Sequence, residues 1–170
     1  MTRYDDNEKV RDARSTYFAR SGFAADGGYA DRWVHLKAGG RTLFAFPNTA
    51  ARVRAVRLHD IHHILTEYDT SWTGEAEIAA WELASGCERH YAAWVLNFAA
   101  MALGIVLWPR RVFRAFRRGR RSGNLYRTEF SEELLERSVG ELREACRIGR
   151  DESGVRTRAF QRRSRRGIRL

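Results

Sequence analysis

Apolar residues recur at helical spacing along most of this chain, in segments that glycine, proline and capping residues separate. Asn48 or Thr49 can cap the second of these segments. Ser138 and Glu141 form a capping box for a short last helix, which Gly149 ends. The spacing predicts the longer helices over 7–20, 50–68, 74–85 and 91–108.

Two short apolar runs near the N-terminus have a different pattern. Residues 33–36 and 43–46 flank the turn sequence Lys37-Ala38-Gly39-Gly40, and Pro47 stops the second run. Apolar runs of this length around a glycine-rich turn are typical of a β-hairpin. We therefore predict a mainly α fold, a compact helical domain with a small N-terminal β-hairpin.

The length of 170 residues and the hydrophobic content of 44% are those of one domain with a real core. We expect a single helical metal-binding domain over 1–150. Residues 151–170 are rich in arginine and offer little that could pack, so we expect them to form a basic, disordered tail.

The segment 91–108 is apolar apart from Asn97 and Gly104, and it allows three interpretations. Its length just reaches that of a transmembrane helix, and an arginine cluster follows it. Its many small residues favour a buried helix that lines an apolar channel, which is the interpretation we prefer. A core helix without a ligand is the third.

The net charge of +10 and the isoelectric point near 10.5 predict an anionic partner, which could be acidic lipid, nucleic acid or a phosphorylated substrate. Seven arginines lie within 110–121, with Val112, Phe113 and Phe116 between them. This alternation suits a helix lying on an anionic membrane surface, and it also suits contact with a phosphate backbone. No helix-turn-helix, zinc-finger or RNA-recognition signature accompanies it, which argues against sequence-specific nucleic-acid binding.

Cys87 and Cys146 are far apart and match no CxxC pattern. We expect two free, buried thiols in a reducing compartment. The first six residues contain no apolar stretch, so we expect no secretory signal. The predicted location is cytoplasmic, with peripheral attachment to a membrane.

The run His59-Asp60-Ile61-His62-His63 carries the strongest chemical signal in the chain. Histidines four apart on a helix lie on one face, within reach of one ion. Asp60 borders that face, and Glu75 begins the next predicted helix, from which it can point back. These four side chains could supply the four ligands that zinc usually takes.

Other polar residues near this run could also bind the ion or carry protons. Glu67 lies four residues after His63 and could compete as a ligand or carry a proton, and His62 and Tyr68 are further candidate proton carriers. One of the four predicted ligands could instead orient a histidine through its other ring nitrogen. The alternative is a polar surface with a few satisfied histidines and no metal.

Read as HDxxH, eleven residues and a glutamate, the run resembles the signature of the Coq-four family of ubiquinone-biosynthesis proteins. The resemblance extends over about residues 40–150. It includes the segments Leu65-Thr66, Tyr68, Gly74-Glu75, 115–120 and 142–149. Carried over position by position, it implies His59, Asp60, His63 and Glu75 as metal ligands, and with Glu67 they are our candidate catalytic residues.

The resemblance also implies a function. Members of the family are helical proteins bound peripherally to membranes, and they act on a polyprenylated aromatic precursor of ubiquinone. Their reaction is the oxidative removal of the ring carboxyl group. The implied cofactor is a divalent metal, with zinc preferred and iron or magnesium as alternatives. The implied partners are the prenylated aromatic lipid, other proteins of quinone biosynthesis and further copies of the chain.

Three functions remain as alternatives. A nucleic-acid-binding protein would use the arginine clusters and would not need the metal. A non-catalytic lipid-binding scaffold would hold a structural metal with four protein ligands and no open position. The same fold could also act on a different aromatic or terpenoid substrate. Glu67 stands where many family members have glycine, and the segment 81–87 departs from the family pattern, which favours a side branch.

Overall fold

The structure, a computed structural model, describes residues 3–38 and 41–149. The predicted tail at 151–170 lies outside these residues. Within them the chain forms seven α-helices and one β-hairpin, which confirms the mainly α prediction. The helices are α1 Val10–Ser21, α2 Ala50–Thr66, α3 Trp72–Ser85, α4 Tyr91–Leu107, α5 Pro109–Gly119, α6 Glu132–Glu136 and α7 Val139–Ala145.

The hairpin consists of β1, Trp33–Ala38, and β2, Arg41–Pro47, which pair in antiparallel fashion. The register shifts between Leu36 and Lys37, where the ladder carries a bulge or irregularity. Two apolar runs flanking a glycine-rich turn therefore form the predicted hairpin. A 3-10 turn over Leu125–Arg127 and the short helix α6 were not predicted.

Capping side chains set the beginnings of the helices. Thr49 accepts a hydrogen bond from the backbone of Arg52 at the start of α2, as predicted. Ser71 accepts one from Gly74, so α3 starts two residues earlier than the sequence suggested. The capping box of Ser138 and Glu141 is present in α7, although this helix ends at Ala145, before Gly149.

The main core lies between α1, α2, α6 and α7, and it includes Trp81 from α3. A smaller apolar cluster joins α3 to α5 through Ala76, Ala80, Val112 and Ala115. Both predicted thiols are free and buried, and burial raises the pKa of Cys87 to about 12. Helix α3 is the central helix, because it packs against both α4 and α5 and contributes to both apolar clusters.

Helix α4 is far more exposed than we predicted. Only Ala93, Asn97 and Gly104 are buried in it. Large apolar side chains point outward over its whole length, with Phe98 64% and Val106 77% exposed. The preferred interpretation of a buried helix at 91–108 is therefore wrong about burial, although one side of α4 does line a cavity.

The transmembrane interpretation of the same segment requires a helix that is long and apolar enough to cross the bilayer. None of the helices among the described residues has the combined length and apolar character needed to cross a membrane.

Candidate metal centre

Three predicted ligands come together where α2 passes the start of α3. His59 and His63 lie one turn apart on α2, and Glu75 lies in the first turn of α3. The two imidazole Nε2 atoms are 3.1 Å apart. The Glu75 carboxylate oxygens lie 3.4 Å from Nε2 of His63 and 3.6 Å from Nε2 of His59.

These separations suit a shared metal ion. Zinc bonds to nitrogen and carboxylate oxygen are about 2.0–2.2 Å long, so neighbouring ligand atoms on one ion lie about 3.0–3.5 Å apart. The three side chains each offer one ligand atom, and all of these atoms lie within 4.8 Å of one another. His59, His63 and Glu75 could therefore hold a metal ion.

The other ring nitrogen of each histidine fixes the orientation of its ring. Nδ1 of His59 lies 2.9 Å from an oxygen of Glu82, and Nδ1 of His63 lies 2.9 Å from the backbone carbonyl oxygen of Tyr68. A carbonyl and an ionised carboxylate only accept hydrogen bonds, so both Nδ1 atoms carry the proton. In the neutral form of each ring the Nε2 lone pair then faces Glu75, so three acceptor atoms converge on the position that a cation would take.

Charge in the centre follows from the same contacts. Burial alone would lower the pKa of His59, but the carboxylates of Glu82 and Glu75 outweigh it and hold that pKa well above its usual value. Burial alone would raise the pKa of Glu75, yet its contacts with His59 and His63 keep that pKa well below the usual range. The group therefore attracts a cation, either a metal ion or a proton.

Asp60 lies outside this group of three. Its carboxylate accepts a hydrogen bond of 2.5 Å from the Tyr29 hydroxyl and a longer one of 3.5 Å from the Tyr17 hydroxyl. The ring of Tyr17 stacks on His63, with the ring centroids 5.4 Å apart. Asp60 thus anchors the aromatic side chain that packs beside a ligand, and burial raises its pKa.

Glu67, the remaining candidate catalytic residue, lies away from the centre. It ends α2 with a left-handed backbone, at φ 64°. Its carboxylate accepts hydrogen bonds from Arg143, at 2.9 Å, and from the backbone of Arg3. It does not line the cavity beside the three ligands, so its observed contacts are structural.

His62 and Tyr68, the two further proton-carrier candidates, also have structural contacts. Nδ1 of the fully buried His62 lies 2.6 Å from Glu82, while its Nε2 accepts a hydrogen bond from the backbone of Leu125. Tyr68 supplies its carbonyl oxygen to His63, and its ring packs under the Arg118 guanidinium.

A cavity of about 640 Å³ opens beside the three ligand atoms. His59, Asp60, His63 and Glu75 all lie in its wall. The rest of the wall is mainly apolar and aromatic, with contributions from α1, the hairpin, α2, α3 and α4. Its large apolar members include Tyr17, Phe23, Val34, Phe46, Trp72, Leu96, Leu103 and Trp108.

Sequence reasoning missed a buried polar group behind His59. Glu82, Asn97 and Tyr126 meet there, and both Asn97 and Tyr126 donate hydrogen bonds to Glu82. The sequence did carry a signal, because each of two polar residues stands in an apolar segment. Glu82 follows an apolar stretch of α3, and Asn97 interrupts the apolar run of α4. A buried carboxylate needs such partners.

The chain matches no protein-family model, no curated protein and no solved structure.

Proposed function

We propose that this chain is a metal-dependent, Coq-four-like enzyme that acts on a prenylated aromatic substrate of quinone biosynthesis at a membrane surface. The observation that carries the proposal is the meeting of three acceptor atoms, from His59, His63 and Glu75, in the wall of a largely apolar cavity. Lone pairs that face one another at 3.1–3.6 Å attract a cation, and a metal ion can displace the proton that would otherwise lie between them.

The number of ligands favours catalysis over a structural role. Structural zinc sites are usually closed by four protein ligands, whereas catalytic sites keep a position for water or substrate. Here the group has three members among the described residues, and it faces the cavity. This favours the enzyme over the scaffold that would need a closed site.

The donor set also narrows the choice of ion. Two imidazoles and one carboxylate suit zinc, and they also suit the iron of non-haem oxygenases. Magnesium prefers oxygen ligands and is the least suitable of the three. We propose zinc as the ion, with iron as the alternative if the reaction consumes oxygen.

The cavity fits an apolar substrate with an aromatic ring. Its volume lies within the range of about 300–1,000 Å³ that is usual for sites of small molecules and cofactors. Leu96 and Leu103 line it and are also 41% and 46% exposed, so its wall continues onto the outer surface of α4. An isoprenoid tail could leave the cavity along this surface while the ring stays beside the ligands.

The outer surface of α4 supports a location at a membrane. Its exposed side chains form an apolar face, and Phe113 of α5 is also 61% exposed. Arg110, Arg114 and Arg117 lie on the exposed side of α5. Apolar side chains next to arginines are the combination that binds an anionic lipid surface.

The chemistry divides between the ion and the chain. A bound ion would act as a Lewis acid that stabilises negative charge developing on the ring. Tyr17 packs against His63, and Arg52 of α2 lies in the same cavity wall. The Nε of Arg52 has no hydrogen-bond partner among the described residues, so this guanidinium is suited to hold an acidic group of the substrate.

Elemental analysis of the purified protein tests the proposal. Wild type should contain about one zinc or iron ion per chain, and His63→Ala should contain none, since it removes one of three ligands. The matched control is His90→Ala, which removes a histidine that belongs neither to the group nor to the cavity wall. It should keep the metal.

The outcomes separate the alternatives. A wild-type protein without metal would contradict the proposal. Iron would favour oxidative chemistry on the ring, and zinc would favour a decarboxylation. Lipid extraction followed by mass spectrometry would then identify the bound compound, and a terpenoid without a quinone-type ring would favour the different substrate in specialised metabolism.

A further inference from the structure

Glu82 is the most completely buried carboxylate near the candidate metal centre. Its side chain is 0% exposed, and it lies on α3 two turns after Glu75. One of its oxygens, Oε1, lies 2.9 Å from Nδ1 of His59 and 2.6 Å from Nδ1 of His62. The other, Oε2, accepts hydrogen bonds from Asn97, at 2.5 Å, and from the Tyr126 hydroxyl, at 2.8 Å.

These four contacts fix the Glu82 carboxylate from several directions. His62 is itself held, because its Nε2 accepts a hydrogen bond from the backbone of Leu125 and its Nδ1 must then carry the proton. Asn97 lies on α4, and Tyr126 lies in the 3-10 turn. Four donors surround one carboxylate in a buried site, so it can remain ionised without solvent.

We propose that Glu82 is the positioning residue of the metal centre, acting on the ion through His59. This inference rests on the metal-dependent function proposed above. A carboxylate that accepts from Nδ1 fixes the tautomer of a histidine, aims its Nε2 and makes that nitrogen a stronger ligand. Its charge adds to that of Glu75, so that two carboxylates balance the two positive charges of a divalent ion.

His63 offers an internal comparison. Its Nδ1 donates to the neutral carbonyl oxygen of Tyr68 rather than to a carboxylate. The two histidines are therefore supported unequally, and His59 is the stronger ligand of the pair. Removing the charge of Glu82 should weaken the site even though it leaves all three ligands in place.

The test uses Glu82→Gln, which keeps the shape of the side chain and removes its charge. The matched control is Tyr126→Phe, which removes one donor to Oε2 and leaves the contact with His59 intact. Both are compared with wild type in zinc affinity, by competition with a chromophoric chelator, and in the absorption spectrum of the cobalt-loaded protein. Circular dichroism checks that each variant is folded.

We expect Glu82→Gln to bind zinc about 10–100-fold more weakly and to shift the cobalt bands, as is typical when such a partner is lost. Tyr126→Phe should stay within about threefold of wild type, because it leaves the contact with His59 in place. A folded Glu82→Gln with wild-type affinity and spectrum would overturn the inference and leave Glu82 a purely structural residue.

A second measurement keeps the inference testable if Glu82→Gln does not fold. Long-range proton–nitrogen spectra of zinc-loaded, nitrogen-15-labelled wild type report which nitrogen of each histidine is protonated. Protonated Nδ1 and metal-bound Nε2 at His59 are expected, and the reverse arrangement would overturn the inference. A wild-type protein that binds no zinc or cobalt would instead remove the proposed function, and the inference with it.

Discussion

Between α2 and α3 the interior of the protein is polar, whereas the outer face of α4 is apolar. His62, His63 and Glu82 are almost completely shielded from solvent, while Phe98 and Val106 lie open to it. Each region reverses the usual distribution of residues in a folded domain. The two regions share a boundary, because α4 also contributes Asn97 to the polar interior.

The difference between the regions lies in how each side chain is satisfied. The buried polar groups have partners for nearly every donor and acceptor, apart from the three atoms that face the cavity. Among residues 3–38 and 41–149, nothing covers the outward apolar side chains of α4 in the same way. The polar interior is thus nearly complete without a partner, while the apolar face gains stability only by being covered.

The largest expected effect is the loss of stability when a buried aromatic side chain is removed, compared with the removal of an exposed one. Trp81 is fully buried beside His62, so Trp81→Ala should lower the free energy of unfolding by about 3–5 kcal/mol. Phe98→Ala should change it by only about 0.5 kcal/mol, because that ring is mostly exposed. Urea denaturation measures both, and equal losses would show that α4 is packed in solution.

The second prediction concerns membrane binding by the outer face of α4. Phe98→Asp should weaken binding to vesicles that contain phosphatidylserine by at least about tenfold, because an apolar anchor is lost and a charge is buried or repelled. Ser15→Asp adds the same charge at an exposed position of α1 and should weaken binding much less. Vesicle co-sedimentation compares the two, and an equal response would remove the membrane from the proposal.

The third prediction concerns how zinc affinity and the stability of the metal-free protein depend on pH. Without metal, His59 has a raised pKa, so protonation stabilises the metal-free fold most fully below about pH 6.5, and this stabilisation is lost as the pH rises through the folded pKa. A metal ion must displace that proton. Zinc affinity should therefore fall about tenfold for each pH unit on descending below the folded pKa of His59.

Calorimetric titration in buffers of different ionisation enthalpy measures the proton released on binding. Release of about one proton is expected at neutral pH. Binding without proton release would mean that the site is already deprotonated, contrary to the raised pKa of His59.

The smallest expected effect is on stability, and it comes from changing Glu67 rather than Glu82 to glutamine. Glu67→Gln removes a partly exposed ion pair with Arg143 and should cost up to about 1 kcal/mol of stability. Zinc affinity should be unchanged, in contrast to Glu82→Gln. Chelator competition and thermal unfolding measure both, and weaker zinc binding in Glu67→Gln would return this residue to the site.

Local signals in the sequence were sufficient for most of the fold. Thr49, the capping box of Ser138 and Glu141, and the glycine turn act within a few residues, so their effects can be read directly. The pairing of His59 with His63 follows from one helical turn, and Glu75 follows from its place at the start of the next predicted helix. The same spacing argument made Glu67 a candidate, but its carboxylate contacts Arg143 and lies outside the group of three. Glu67 has a left-handed backbone at the end of α2, so the helical spacing that placed it on the face of His63 does not apply to it.

Other features depend on tertiary contacts that no local pattern reveals. The surroundings of Asp60 include hydroxyls of Tyr17 and Tyr29, which are distant in sequence. Glu82 meets its partners across three elements. Helix α4 is apolar on nearly all sides, so its sequence carries no periodicity that separates a buried face from an exposed one.

The close packing of α3 against its neighbours has a consequence for how related sequences should vary. A Cβ added at Gly104 would strike Ala76 and Val112, and one added at Gly119 would strike the backbone of Trp81. In descendants of this gene, these two positions should therefore remain glycine. The outward positions of α4 should tolerate exchange among apolar residues. Gly104 and Gly119, rather than the sequence of α4, would therefore identify distant relatives.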